Sequence, residues 1–96
     1  MFVRVGTFEV KPGSLPELLE RYESACAPLV RSAQGSVDCF VAEPADDTSP
    51  VAVCTVWQSE ADAQAYESSG TAAEVVAQVR DFFAGPPTLL SYRVRE

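Results

Sequence analysis

The strand-like run from Val51 to Gln58 is apolar on both of its faces, and this constrains the fold more than any other feature of the chain. Side chains alternate across a strand, so Val51, Val53, Thr55 and Trp57 share one face while Ala52, Cys54, Val56 and Gln58 share the other. An antiparallel sheet with one wet face alternates apolar with polar residues. The run that starts at Phe2 repeats the two-sided pattern, with Phe2 and Phe8 on one side and Val3 and Val5 on the other. Helices of the same chain cover one side of such a sheet. The other side needs a cover of its own, and a two-fold homodimer is the simplest one.

The same run passes into a helix with almost no loop, reading VAVCTVWQSEADAQAY from Val51 to Tyr66. Ser59 supplies an N-cap oxygen, and Asp62, three residues on, is a short version of the capping-box acid. Trp57 therefore stands at the sheet edge where the helix begins. A ring in that place either walls a pocket between sheet and helix or seals the core.

The rest of the chain supplies the partners. Phe2 to Val10 reads as a first strand, broken by Pro12-Gly13. Ser14-Leu-Pro-Glu17 has the spacing of a capping box, and the apolar stripe Leu18, Leu19, Tyr22, Ala25, Cys26, Leu29, Val30, Ala33 continues the helix to Gly35. Pro28 removes one backbone hydrogen bond and predicts a kink. Ser36 to Glu43 is a second strand, followed by a polar loop from Pro44 to Pro50. Beyond the helix Glu60 to Ser69, Gly70 is a stop. Thr71-Ala-Ala-Glu74 then predicts another capped helix, with Val75, Val76, Val79, Phe82 and Phe83 on its apolar face and Gly85-Pro86-Pro87 at its end. Thr88 to Val94 is the last strand.

The order is β-α-β-β-α-α-β, which predicts an α+β, ferredoxin-like antiparallel sheet with helices on one face. Right-handed crossovers place the last strand beside the first, with the third strand on the other flank of the first. All 96 residues fit one domain.

Composition narrows the function. A net charge of −7 argues against nucleic acid or an anionic membrane surface as the partner, since both require clustered Lys and Arg. No apolar run reaches the roughly 20 residues of a membrane span, and the alternating N-terminus does not read as a signal peptide. The chain has no His, so the commonest metal ligand and the usual general base near pH 7 are missing. Cys26, Cys39 and Cys54 lack CxxC spacing and lie in apolar segments, which predicts buried structural thiols, at least one of them free, in a reducing cytoplasm. With no glycine-rich phosphate loop either, the residues predict that no metal, haem or flavin cofactor is needed.

The run VWQSEADAQAY, the Pro28 interruption, the Gly35 return into a strand and the Tyr92 end strand together resemble the antibiotic biosynthesis monooxygenase family. The resemblance covers nearly the whole chain and implies a dimeric α+β barrel with a pocket between helices and sheet in each subunit, walled by the Trp that matches Trp57. Some members of that family oxidise electron-rich aromatic polyketides or quinols with dioxygen alone, and others degrade haem using a His on the helix after this Trp and an Asn on the first strand. This chain has no His, and Gly6 is its best match to the Asn position.

The expected activity is a cofactor-independent monooxygenase acting on an aromatic, polyketide or quinol-type molecule. The alternative is a non-catalytic α+β-barrel binder of an aromatic metabolite, or an accessory protein. The expected substrate-binding residues are Trp57, Arg4, Phe8, Tyr22 and Tyr66, with aromatic walls, two hydroxyls and one positive charge. Arg4 is brought toward Trp57 by the pairing of the first and third strands. There it serves a substrate anion or a cation–π contact, or its head reaches solvent or Asp38. Arg93 and Arg95 are expected near it, as charges that guard a sheet edge. No catalytic base stands out, with Glu9, Asp38 and Glu43 as the candidates.

Overall fold

The computed structural model describes residues 1–46 and 49–95. Four strands form one antiparallel sheet: β1 (Phe2–Phe8), β2 (Ser36–Ala42), β3 (Val51–Trp57) and β4 (Thr88–Arg93), in the order β2-β3-β1-β4. This is the order predicted from chain direction and crossover hand. Of the polar loop predicted at Pro44 to Pro50, Asp47 and Thr48 lie outside the described residues. The β1–β3 register pairs Phe2 with Trp57, Arg4 with Thr55 and Gly6 with Val53. One face therefore carries Phe2, Arg4, Gly6, Phe8, Val51, Val53, Thr55 and Trp57, and the helices pack on it.

The helical segments are α1 (Leu15–Arg21), a π-helical turn (Tyr22–Cys26), α2 (Ala27–Arg31), α3 (Glu60–Ser68), α4 (Thr71–Val79) and a 3-10 turn (Arg80–Phe82). The interruption foreseen at Pro28 takes the form of the π turn before it. The Ala27 N–H bonds to the Tyr22 carbonyl, five residues back. Proline has no N–H, and its ring collides with the carbonyl four residues earlier, so a wider turn relieves the clash without ending the helix. The turn also delivers Tyr22 and Cys26 into the core.

Two of the predicted capping boxes are not formed. Ser14 makes no side-chain cap bond, since its backbone is already in the helical region and Pro16 fills the first turn. Thr71 is the first residue of α4 and not its cap, because Gly70, with φ 89°, makes the turn instead. The Ser59 cap does form. Its Oγ accepts from the Asp62 N–H at 3.2 Å and donates to the Asp62 carboxylate at 3.0 Å. The last helix is shorter than its apolar stripe suggests. After Val79 the chain tightens, and Phe83 turns extended, bridges Val10 and packs its ring on Phe8 at 4.1 Å between centroids.

The core between sheet and helices centres on Trp57, Leu18, Val30 and Cys26, all fully buried. The opposite sheet face is unlike it. Val3, Val5, Cys54 and Val56 are half-buried there, while Phe40, Leu90 and Tyr92 are 45%, 49% and 51% exposed. No helix among the described residues is long and apolar enough to cross a membrane.

Gly35 links α2 to β2 with φ 82°, and a Cβ there would collide with the Asp62 side chain. Gly35→Ala therefore both strains the backbone and dislodges the partner of the Ser59 cap. We expect a loss of about 2–3 kcal/mol, read as a lower midpoint in urea melts with an unchanged slope.

Candidate functional site

A cavity of about 200 Å³ lies between the helix-facing side of the sheet and the α3–α4 pair. Its floor is Arg4, Gly6 and Phe8 of β1 with Val53 and Thr55 of β3. Tyr66 and Glu67 of α3 and Ala72, Val76 and Val79 of α4 form the roof. Phe83 closes one end, and the exposed residues Thr88 and Leu89 mark the mouth. The mouth has a physical cause. β4 is an edge strand and is exposed along its whole length, so the sheet there extends beyond its helical cover.

The walls are almost wholly apolar, and the polar groups that line them are few. Arg4 and Glu67 form an ion pair at 2.6 Å, with the Arg4 side chain 14% exposed and the Glu67 side chain 39%. The partner of Arg4 is thus a carboxylate on α3 and not Asp38, which lies on the other face of the sheet beside Val56. Arg93 stands two positions along β4 from the partner of Arg4, on the same face, and bonds Glu60 at 2.9 Å. Tyr66 is buried, and that burial, with Cys26, Cys39 and Glu67 nearby, holds its phenol well above the ordinary value. At neutral pH Tyr66 is therefore a hydroxyl, not a phenolate base.

Of the five predicted binding residues, Arg4, Phe8 and Tyr66 come together on this cavity and two do not. Trp57 is fully buried behind the wall. Its ring packs on Tyr66 at 4.8 Å between centroids, and its indole N–H donates to Thr55 Oγ1 at 2.9 Å. Both of those neighbours line the cavity, so Trp57 positions the wall without forming it. The strand ends at Trp57, and α3 folds straight back over it, which covers the indole. Tyr22 does not line the cavity either, because the π turn aims it into the core.

The Tyr22 hydroxyl is buried without a hydrogen-bond partner among the described residues, and burial with the Cys39 thiol beside it drives its pKa far up. An unsatisfied buried hydroxyl costs about 1–3 kcal/mol. Tyr22→Phe is accordingly expected to leave stability unchanged or raise it by about 1 kcal/mol, with ligand binding untouched. Thermal melts and a binding titration check both halves, and a drop of several degrees in Tm would assign the hydroxyl a partner.

Of the candidate bases, Glu9 and Glu43 line a separate groove near Pro12 and Pro44. The carboxylate that does reach the cavity, Glu67, escaped the sequence reading. Its one available signal was its position beside Tyr66, late in the helix that follows Trp57. The cysteines are free, with Cys26 and Cys39 buried and Cys54 half-buried. Burial pushes the Cys26 thiol up to about 11 and raises Cys54 as well, so both are neutral thiols near pH 7. Among the described residues no group of three or more Cys, Asp or Glu side chains is placed to hold a metal ion.

The family model for antibiotic biosynthesis monooxygenases matches residues 1–78, most of the chain. The chain belongs to the antibiotic biosynthesis monooxygenase family. Solved structures agree on the fold, which is the ferredoxin-like arrangement of that family. The monooxygenase from the gene ActVA-Orf6 of Streptomyces coelicolor, solved with the ligand nanaomycin D, superposes with a TM-score of 0.82 at 22% identity, over 99% of this chain and 88% of that one. The heme-degrader MhuD of Mycobacterium tuberculosis, solved with two hemes in its active site, gives 0.78 at 27% identity, over 98% and 95%. Among curated proteins no sequence matched significantly. In this member the floor position expected to match the family's Asn is Gly6, so that part of the floor offers no polar side chain.

Proposed function

We propose that the 96 residues form one domain that works in the cytoplasm as a homodimeric, cofactor-independent monooxygenase on a small flat phenol, quinol or anthrone. The observation that carries this reading is an apolar cavity whose few polar groups, Arg4, Glu67, Thr55, Tyr66 and, at the mouth, Thr88, include one cation able to hold a substrate anion. An apolar cavity of about 150 Å³ takes a benzene ring. At about 200 Å³, with a mouth at Leu89, this one suits fused rings whose far end projects outward. An acidic substrate of this kind reacts with dioxygen once deprotonated. In balanced form, an anthrone CH2 and O2 give the ketone and water. The protein's share is a dry pocket and a fixed positive charge beside the anion.

Haem finds less support as a substrate than a small aromatic. A porphyrin needs far more room than this cavity gives, and the chain contains no imidazole. A second reading, a non-catalytic binder of an aromatic metabolite, draws support from one feature: the carboxylate lining the cavity is tied to Arg4. Oxygen uptake separates the two. An oxygenase consumes O2 and forms anthraquinone from anthrone above the spontaneous rate, with EDTA present throughout. Tight binding of the aromatic with no uptake above background would leave the binder reading in its place.

The dimer is supported by the apolar sheet face opposite the helices, where Phe40, Leu90 and Tyr92 stand exposed among half-buried valines. A second copy laid on that face gives each sheet its missing layer. Leu90→Arg is expected to turn a dimer into a folded monomer in sedimentation velocity at micromolar concentration. A wild-type protein that sediments as a monomer would refute the assembly.

A further inference from the structure

We propose that Glu67 is a displaceable counter-ion: an anionic group of the cavity's ligand, carried in or formed there by loss of a proton, takes the place of Glu67 on Arg4. The inference rests on the cavity being a ligand site, and it adds a selectivity rule that the reading above does not contain.

Three observations converge on it. First, the two members of the pair are held very differently. Arg4 stands in the middle of β1, flanked by Thr55 and Ser91 on the neighbouring strands, with its side chain 14% exposed. Glu67 stands near the end of α3, one turn before Gly70, with its side chain 39% exposed. A carboxylate there can rotate into water at little cost, whereas the guanidinium cannot leave the floor. Second, the pair lies on the cavity itself, and the surrounding walls are apolar. A guanidinium without an anion in such a place is unfavourable, so any ligand that expels Glu67 must replace its charge. Third, the planar guanidinium accepts another carboxylate, or a phenolate or enolate, in the geometry Glu67 now uses.

Glu67 thereby sets specificity. A neutral aromatic has to share the cavity with an intact Arg4–Glu67 pair and gains nothing from Arg4 until it loses a proton. An aromatic anion competes with Glu67 for Arg4, and its net gain is the difference between two similar ion pairs. Removal of the Glu67 charge should therefore tighten binding of anions selectively.

The test uses a matched pair of probes, 2-naphthoate and neutral 2-naphthamide, titrated calorimetrically into wild type, Glu67→Gln and the double variant Glu67→Gln/Arg4→Gln. Circular dichroism confirms that each variant is folded. Glu67→Gln should bind 2-naphthoate about 10-fold more tightly than wild type and 2-naphthamide within about twofold. The double variant should lose the preference for the anion. If Glu67→Gln changes both probes alike, or neither, while 2-naphthamide still binds, Glu67 is no counter-ion competitor and the proposal fails with the ligand site intact. If neither probe binds any of the three proteins, the ligand-site reading itself fails and takes the proposal with it.

Discussion

Trp57→Ala is expected to cost the fold about 3–5 kcal/mol, the range for truncating a fully buried aromatic. A domain of this size has only about 5–15 kcal/mol to lose. Tm should fall by roughly 15–30 °C, and part of the protein should unfold near physiological temperature. The size of the effect follows from placement. The indole is completely buried, packs on Tyr66 and bonds Thr55, so its removal opens a void beneath two cavity residues at once. Trp57→Phe keeps most of the packing and loses the bond to Thr55, so it should cost about 1–2 kcal/mol. Ligand affinity should then change through the altered seating of Tyr66 and Thr55, not through a lost stacking partner. A Trp57→Ala protein that melts within a few degrees of wild type would show the indole to be far less embedded than described.

Arg4→Gln carries the largest expected effect on activity. A preorganised charge beside a developing anion is typically worth about 10²–10³ in kcat. In the anthrone assay Arg4→Gln should lower kcat by about 10²-fold, while KM moves much less. Stability should change little, because Glu67 is partly exposed and solvent screens its lost partner. Arg4→Lys restores the charge without the planar fork and should recover part of the rate. A kcat within threefold of wild type in Arg4→Gln would remove Arg4 from the chemistry.

The two predictions differ in how much of their basis the sequence contained. Trp57 is visible as the last residue of an apolar strand that runs into a capped helix, and the Ser59–Asp62 cap that forms is the one read there. Whether the indole faces a pocket or sits behind it depends on the angle at which α3 returns over the sheet. That angle is set by packing against α4 and β1, and local sequence does not encode it. Arg4 is placed on the correct face by alternation alone. Its partner was beyond reach, because the Arg4–Glu67 pair joins β1 to α3 across sixty-odd positions and exists only once the helix has its rotation.

Tyr22 and Tyr66 make the same point from the opposite side. Both lie on helices expected to cover the sheet and look equivalent in sequence. Pro28 forces a π turn that carries Tyr22 into the core with its hydroxyl unpaired among the described residues, whereas Tyr66 on the regular helix α3 reaches the cavity.

Sequence by itself determined the strand order, the face of each β1 and β3 side chain, the turn at Gly35 and the family, because period-two alternation, crossover hand and a positive φ at glycine are local or topological constraints. Tertiary structure alone decided which side chains meet across the cavity. Helix rotation, the bulk of Phe83 folding back on Phe8 and the incomplete cover over β4 follow from how the layers pack, and packing is a property of the whole chain.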